Sequence, residues 1–237
     1  MLETCRAETE TRLIYQTSRP AYQALKRKIV DGEFPFGAPI TVKALESEFE
    51  FSAIPIREAL IALAAEDLID FYPGRGFFNK RLDAESIAMR LEFLQNLLLA
   101  SAATLPDGRK NLVRKRLLDD GIRLREPANS IFESVRLITD ILDTYFVHPT
   151  AIFTRTAIAQ CARYLTIDEQ KHDPEGEIGK AAFSYLWLAS SRQPVPLTEK
   201  LGRFFDIRKQ RIVDTIQAVK ERDLLAGHPM VFSGASF

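Results

Sequence analysis

The sequence predicts a mainly α protein, with an N-terminal winged helix-turn-helix followed by an all-helical bundle. Three observations predict it. Three short apolar runs at helical spacing lie between Arg19 and Leu63. Phe71 to Phe78 then reads as two short aromatic strands around a tight turn, with Arg75 at its tip. After Phe78 no alternating strand pattern appears, while apolar residues keep recurring at helical spacing. The expected division is a leader over residues 1–18, a winged domain over 19–81 and a helical domain over 82–237.

The leader carries Glu3, Glu8 and Glu10 and no apolar core, so it does not read as a signal peptide. In the first helix Tyr22, Leu25, Ile29 and Val30 share one side, and Lys26-Arg27-Lys28 reads as a solvated face. Gly32 is a natural stop, and Phe34 to Pro39 a turn-rich connector. Thr41 is placed to cap a short helix through Phe49, with Leu45 and Phe49 inward and Glu46 and Glu48 outward. Glu50-Phe51 is the turn, and Ser52 starts the next helix. Pro55 is tolerated in that helix's first turn, where amides have no intrahelical partner to lose. Ile56, Leu60 and Leu63 form its apolar face.

The second regime begins at Asp83. Ile87, Leu91, Leu94, Leu98 and Ala102 repeat at spacings of four, three, four and four, and Pro106-Asp107-Gly108 breaks the pattern. Further helices are expected over 111–126, 131–145, 150–168 and 178–190, separated by prolines and glycines. One long last helix follows Pro194-Val195-Pro196, with Leu201, Phe205, Ile212, Ile216 and Val219 inward. Such helices pack as a bundle. The tail from Gly227 keeps Met230, Val231 and Phe232 and is expected to dock on it.

Composition excludes several classes. No run approaches the roughly 20 apolar residues of a membrane span. Cys5 and Cys161 are too few for a disulfide framework, which fits a reducing cytoplasm. The chain has 32 Lys+Arg against 32 Asp+Glu, and residues 19–81 hold nine of each. Phosphate neutralisation supplies most non-specific DNA affinity, so any DNA binding here needs locally clustered charge and a dimer. No HExxH, GxSxG or phosphate-binding loop is present, so no enzyme is expected.

The order of these pieces resembles the GntR family of bacterial transcription factors, in particular its FadR/FCD branch. Tyr22, Leu25, Ile29, Gly32 and Gly37 sit where that family has its first helix and turn. Leu45 to Arg57, with Ser52, Pro55, Ile56, Arg57, Glu58, Ala59 and Leu60, is similar to its recognition helix and Val-Arg-Glu-Ala-Leu signature. Leu68-Ile69 and Gly74-Arg75-Gly76 are similar to its wing. The match covers about a quarter of the chain; the helical remainder resembles the family in architecture more than in residues. It implies double-stranded DNA as partner, a homodimer, and DNA contacts from Thr41, Lys43, Ser52, Ile54, Arg57, Arg75 and Gly76. Ser52 suits a phosphate, Ile54 a thymine methyl, Arg57 a phosphate or base, and Arg75 a minor groove. Two departures stand out. Glu50 replaces the family's turn glycine, a strained residue for a left-handed turn. Ala53 replaces the arginine that usually follows the capping serine, and arginine is the commonest reader of guanine.

FCD domains commonly hold a metal through one aspartate and three histidines, and organic-acid effectors bind there. The matching positions here are Asn129, Glu133 and Lys209, and the chain has only His148, His172 and His228, so no metal and no cofactor is expected. Glu133 and Lys209 could instead form an ion pair. Arg90 matches an arginine turned inward from the family's first bundle helix. Arg90, Asn129, Glu133 and Lys209 are therefore the candidate effector residues. Phe132, Tyr145, Phe153, Tyr185, Trp187 and Phe205 are aromatics for a cavity lining or an ordinary core. The resemblance implies a DNA-binding regulator with a metabolite-sensing helical domain. The alternative is a ligand-binding or scaffold protein that kept the winged helix with weakened operator reading.

Overall fold

Helix α1 covers residues 20–30 and buries Ala21, Leu25, Ile29 and Val30. It ends on Gly32 at φ 79°, where the amide of Glu33 bonds to the Lys28 carbonyl at 3.0 Å and that of Gly32 to Ile29 at 3.1 Å. Those two bonds satisfy carbonyls that a helix end leaves open, and the positive φ is why glycine stands there. In the computed structural model, residues 20–81, 83–120, 150–172 and 195–225 are described. The expected leader, the helices at 131–145 and 178–190, and the tail from Gly227 lie outside them. The described residues divide into two compact units, 20–81 and the rest from 83 onward.

In the first unit a short strand β1 (Pro39–Ile40) precedes helices α2 (Val42–Phe49) and α3 (Ala53–Ala65), which are followed by strands β2 (Ile69–Tyr72) and β3 (Gly76–Asn79). The antiparallel sheet runs β1-β3-β2, with Ile40 opposite Phe77 and Phe71 opposite Phe77 on the other side. The connector that the sequence left irregular thus contains a strand. β1 is too short for an alternation signal, and its proline sits at the first strand position, where no ladder bond is lost. Asn79, 3% exposed, ties the connector down by donating to the carbonyls of Phe34 and Pro35 at 2.8 and 3.0 Å.

Glu50 closes α2 at φ 56°, ψ 22°, so the left-handed turn is kept despite its side chain. α3 ends in the same double bond as α1: Leu68 to Leu63 and Asp67 to Ala64, both at 3.0 Å, with Asp67 at φ 57°. Thr41 and Ser52 stand at the N-cap positions of α2 and α3 with extended backbone, but neither hydroxyl makes a cap bond. The expected capping is therefore positional only.

The second unit contains α4 (Ala84–Ala103), α5 (Asp107–Asp120), α6 (Thr150–His172), α7 (Val195–Gln210) and α8 (Ile212–Leu225). Asp83 caps α4 by accepting from the Ser86 amide at 2.7 Å. α4 packs mainly on α6, and also on α7 and α8. Its face at Ile87, Leu91 and Leu94 is buried, and Ser101 meets Thr154 of α6 at 3.1 Å in the core. α6 is buried on nearly every side from Ala157 to Asp168, and its alanines at 157, 159 and 162 allow close approach. It runs one turn beyond the expected Asp168. α5 starts at Asp107, earlier than the Pro-Asp-Gly break predicted, because Pro106 precedes the helix and its carbonyl accepts from Arg109 and Lys110.

The single long last helix is instead two. The Arg211 amide bonds back three residues to the Arg208 carbonyl at 3.2 Å, and the Tyr164 hydroxyl donates to that same carbonyl at 2.7 Å. A carbonyl engaged by a tighter turn and by a neighbouring helix does not continue the regular ladder, so the chain breaks at Arg211. Leu201, Phe205, Ile212, Ile216 and Val219 are nonetheless all buried, as their spacing required.

Candidate nucleic-acid interface

The two sides of α3 differ in kind. Ile56, Ala59, Leu60 and Leu63 are at most 1% exposed and fix the helix on the first unit's core. At about 100° per residue, Ile54 and Ile61 point away from that core along nearly one line, with Arg57 beside them. Ile54 is 70% exposed, Ile61 59%, and Arg57 and Ser52 are exposed. The Ser52 hydroxyl, with no cap bond, is open to an outside acceptor or donor at the end of α3 where unpaired amides favour an anion. Thr41 and Lys43 are likewise exposed at the start of α2.

The wing places its arginine at the tip. Pro73 and the two positive-φ glycines, Gly74 at 75° and Gly76 at 94°, turn β2 into β3, closed by the Arg75 amide to the Tyr72 carbonyl at 2.9 Å. Phe71 and Phe77 meet across the ladder at 4.9 Å, stiffening the hairpin. The Arg75 guanidinium stands 5.7 Å from the Tyr72 ring centre and 5.8 Å from that of Phe78. The aromatic strands therefore hold the exposed cation in place while leaving it open to solvent.

Charge in this unit is partitioned. Lys26 pairs with Glu66 at 2.7 Å and bonds the Tyr22 hydroxyl, which itself bonds Glu66. Lys28 pairs with Glu33 at 2.8 Å and Glu48 at 2.5 Å. Lys80 pairs with Asp70 at 2.5 Å and also with Asp67. Burial pulls the pKa of Lys28 and of Lys80 down, but in each the two carboxylates outweigh it and the pKa is raised. The lysines expected on a solvated face at Lys26 and Lys28 are instead half-buried ties between α1 and the chain beyond it. Among the described residues Lys43, Arg57 and Arg75 have no carboxylate partner, and the Arg75 guanidinium lies over the Tyr72 and Phe78 rings.

Of the candidate effector residues, Asn129 and Glu133 lie outside the described residues. Lys209 pairs with Asp206 one turn back on α7 at 3.1 Å. Arg90 bonds Ser86 on its own helix at 3.3 Å, and its charge bears on Cys161 of α6. Burial pushes the Cys161 thiol up to about 12 even though Arg90 opposes the shift. Phe205 is a core aromatic, whereas Phe153 is 55% exposed, so the latter does not serve as core. Phe132, Tyr145, Tyr185, Trp187, His148 and His228 lie outside the described residues.

The sequence reading missed a polar cluster in the core of the second unit. Asp168, fully buried, accepts from the Thr215 hydroxyl at 3.1 Å and faces the Arg208 Nε at 3.8 Å. Arg208 lies over the Phe204 ring at 3.5 Å and donates to the Phe204 carbonyl. His172 sits 3.1 Å from Asp214 and 3.5 Å from Thr215. The hydrogen bond from Lys171 holds the exposed Asp214 carboxyl below its usual range. Burial, then the charge of Asp168, pushes the Tyr164 phenol up. The available signal was phase: Ile158, Cys161, Leu165 and Asp168 follow one inward helical stripe, and the last is charged. Among the described residues, no group of three or more metal-ligating side chains is gathered, and no helix is long and apolar enough to cross a membrane.

The profile of the family "Bacterial regulatory proteins, gntR family" matches residues 17–78. An uncharacterized HTH-type transcriptional regulator of Streptomyces ambofaciens is 30% identical over 105 residues, 44% of this chain and 44% of that relative. The match thus spans under half of that relative's length. The solved structure of E. coli McbR/YncC aligns over 85% of this chain and 98% of its own, at 17% identity and a TM-score of 0.57. A GntR transcriptional regulator from Rhodococcus sp. RHA1 aligns over 84% and 98%, at 16% identity and a TM-score of 0.57. At such identities the two structures establish the fold, which is mainly helical with a small antiparallel sheet. Residues 17–78, which contain the three-helix and hairpin arrangement described above, are thus similar to the gntR family of bacterial regulatory proteins.

Proposed function

We propose that the protein is a GntR-type transcriptional regulator, not an enzyme, that binds operator DNA through residues 19–81. Its helical portion, residues 82–237, is of the FCD type, forms the homodimer and senses a small organic acid in the cytoplasm. The observation that carries the DNA reading is the solvent face of α3, where Ser52, Ile54 and Arg57 are all exposed while the opposite face is core. Lys43 at the start of α2 and Arg75 on the wing supply further open cations. In this reading α3 enters the major groove, and Arg75 with Gly76 reaches the adjacent minor groove.

The effector reading assigns Arg90, Asn129, Glu133 and Lys209 to the ligand. Its support is that Arg90 is half-buried on α4, the helix that packs on α6. An organic acid complements such a cation. No metal or cofactor takes part in this reading.

The test is a gel-shift assay with the full-length chain on upstream DNA of its own genome, at moderate salt. At least one fragment is expected to bind more tightly than random DNA, with two half-sites about one helical turn apart. Failure to find any fragment preferred over random DNA would sink the regulator reading and favour a scaffold that kept the winged fold.

A further inference from the structure

We infer that this reading head recognises its operator through the C5-methyl group of thymine rather than through guanine, with Ile54 as the specificity-determining residue. The inference rests on the DNA-binding reading above. Arginine and lysine read guanine because they present two donors to its N7 and O6. The position after the N-cap serine of α3 is Ala53, which has no donor. The line of α3 turned furthest from the core carries Ile54 and Ile61, 70% and 59% exposed. Ile54 and Ile61, about two turns apart on the same side of α3, present apolar surface where the floor of a major groove would meet it. An isoleucine has no hydrogen-bonding group, so the one base feature it complements in the major groove is the thymine methyl. Charge argues for DNA as that partner. Lys43, Arg57 and Arg75 are open, while Lys26, Lys28 and Lys80 are engaged by carboxylates of the same unit. Arg57, flanking the isoleucine line, holds the helix to the duplex while Ile54 makes the methyl contact.

The test begins with selection from a random-sequence duplex library on the full-length protein. Enriched sites are expected to carry thymine at a fixed position in each half-site. The best duplex is then rebuilt with deoxyuridine at those thymines, which removes the methyl and leaves every hydrogen-bonding group. Affinity is expected to fall about fourfold for each contacted methyl, the worth of one buried carbon. Ile54→Ser should lower affinity for the thymine duplex and bind both duplexes alike, and Ile54→Val should retain most of the preference. Because Ile54 is exposed, both variants are expected to fold, and unchanged thermal unfolding checks this.

Equal wild-type affinity for thymine and deoxyuridine duplexes overturns the inference and leaves DNA binding intact. An unchanged preference in Ile54→Ser overturns the role of Ile54. If no sequence is enriched, DNA reading itself fails and the inference falls with it. If Ile54→Ser and Ile61→Ser instead change the oligomeric state without changing DNA affinity, the face is a protein contact and the inference is likewise overturned.

Discussion

The two units handle charge in opposite ways. In the first, carboxylates and lysines meet at half-exposed edges: Lys26 with Glu66, Lys28 with Glu33 and Glu48, and Lys80 with Asp67 and Asp70. In the second, an aspartate and an arginine are drawn into the core, where Asp168 and Arg208 face each other at 3.8 Å beneath Tyr164 and Thr215. Half-exposed pairs are worth little individually, whereas breaking a buried pair leaves an uncompensated charge. Net charge is therefore a poor guide to what a domain offers its partners. Residues 19–81 are neutral by count, yet pairing engages Lys26, Lys28 and Lys80 and leaves Lys43, Arg57 and Arg75 facing solvent or aromatic rings.

The largest expected effect is in the second unit. Asp168→Ala should cost about 3 kcal/mol of unfolding free energy, because Arg208 would keep its burial and lose its carboxylate. Replacing both, with Asp168→Leu and Arg208→Met, should recover most of that loss in urea unfolding. A single-variant cost near zero would show that the pair is not buried as described.

Smaller effects belong to the first unit. Glu50→Gly should stabilise it by about 0.5–1 kcal/mol, since glycine adopts the left-handed conformation without a side-chain clash. A lower denaturation midpoint in that variant would contradict the strained turn. Lys80→Met should cost less than about 1 kcal/mol near neutrality, as befits half-exposed pairs. The folded pKa of Lys80 is raised above 10.5, so its stabilising contribution is complete below 10.5 and is lost as pH rises through the folded value. The variant should therefore lose less stability than wild type when pH is raised past that window. Tyr164, also raised, acts in the same direction from the second unit, and Tyr164→Phe separates the two contributions.

Much of this architecture was legible because it rests on local signals. Gly32, Pro55, Ile56-Leu60-Leu63 and Phe71 to Phe78 each announce a stop, a first turn, a buried face and a hairpin. What escaped depends on distant residues. The lysine ties join α1 to carboxylates up to 40 positions away, as in Lys26 with Glu66, and nothing in their local spacing shows it. The break at Arg211 is set partly by Tyr164, 44 positions from Arg208, so an unbroken apolar phase read as one helix. β1 escaped because two residues carry no period. At the candidate site the sequence identified Arg57 and Arg75 by motif. That Ile54 and Ile61 would be the most outward apolar residues of α3 required the packed face to be known.

Within residues 20–81, Lys26, Lys28 and Lys80 are tied to carboxylates, whereas Lys43, Arg57 and Arg75 stand open to DNA. The most direct measurement is the salt dependence of operator binding by the full-length protein, compared among Lys43→Met, Arg57→Met, Arg75→Met and Lys28→Met. The slope of log affinity against log salt should fall by about 0.9 per head for each of the first three and stay unchanged for Lys28→Met. An equal change of slope for Lys28→Met, or none for the open three, would contradict the partition.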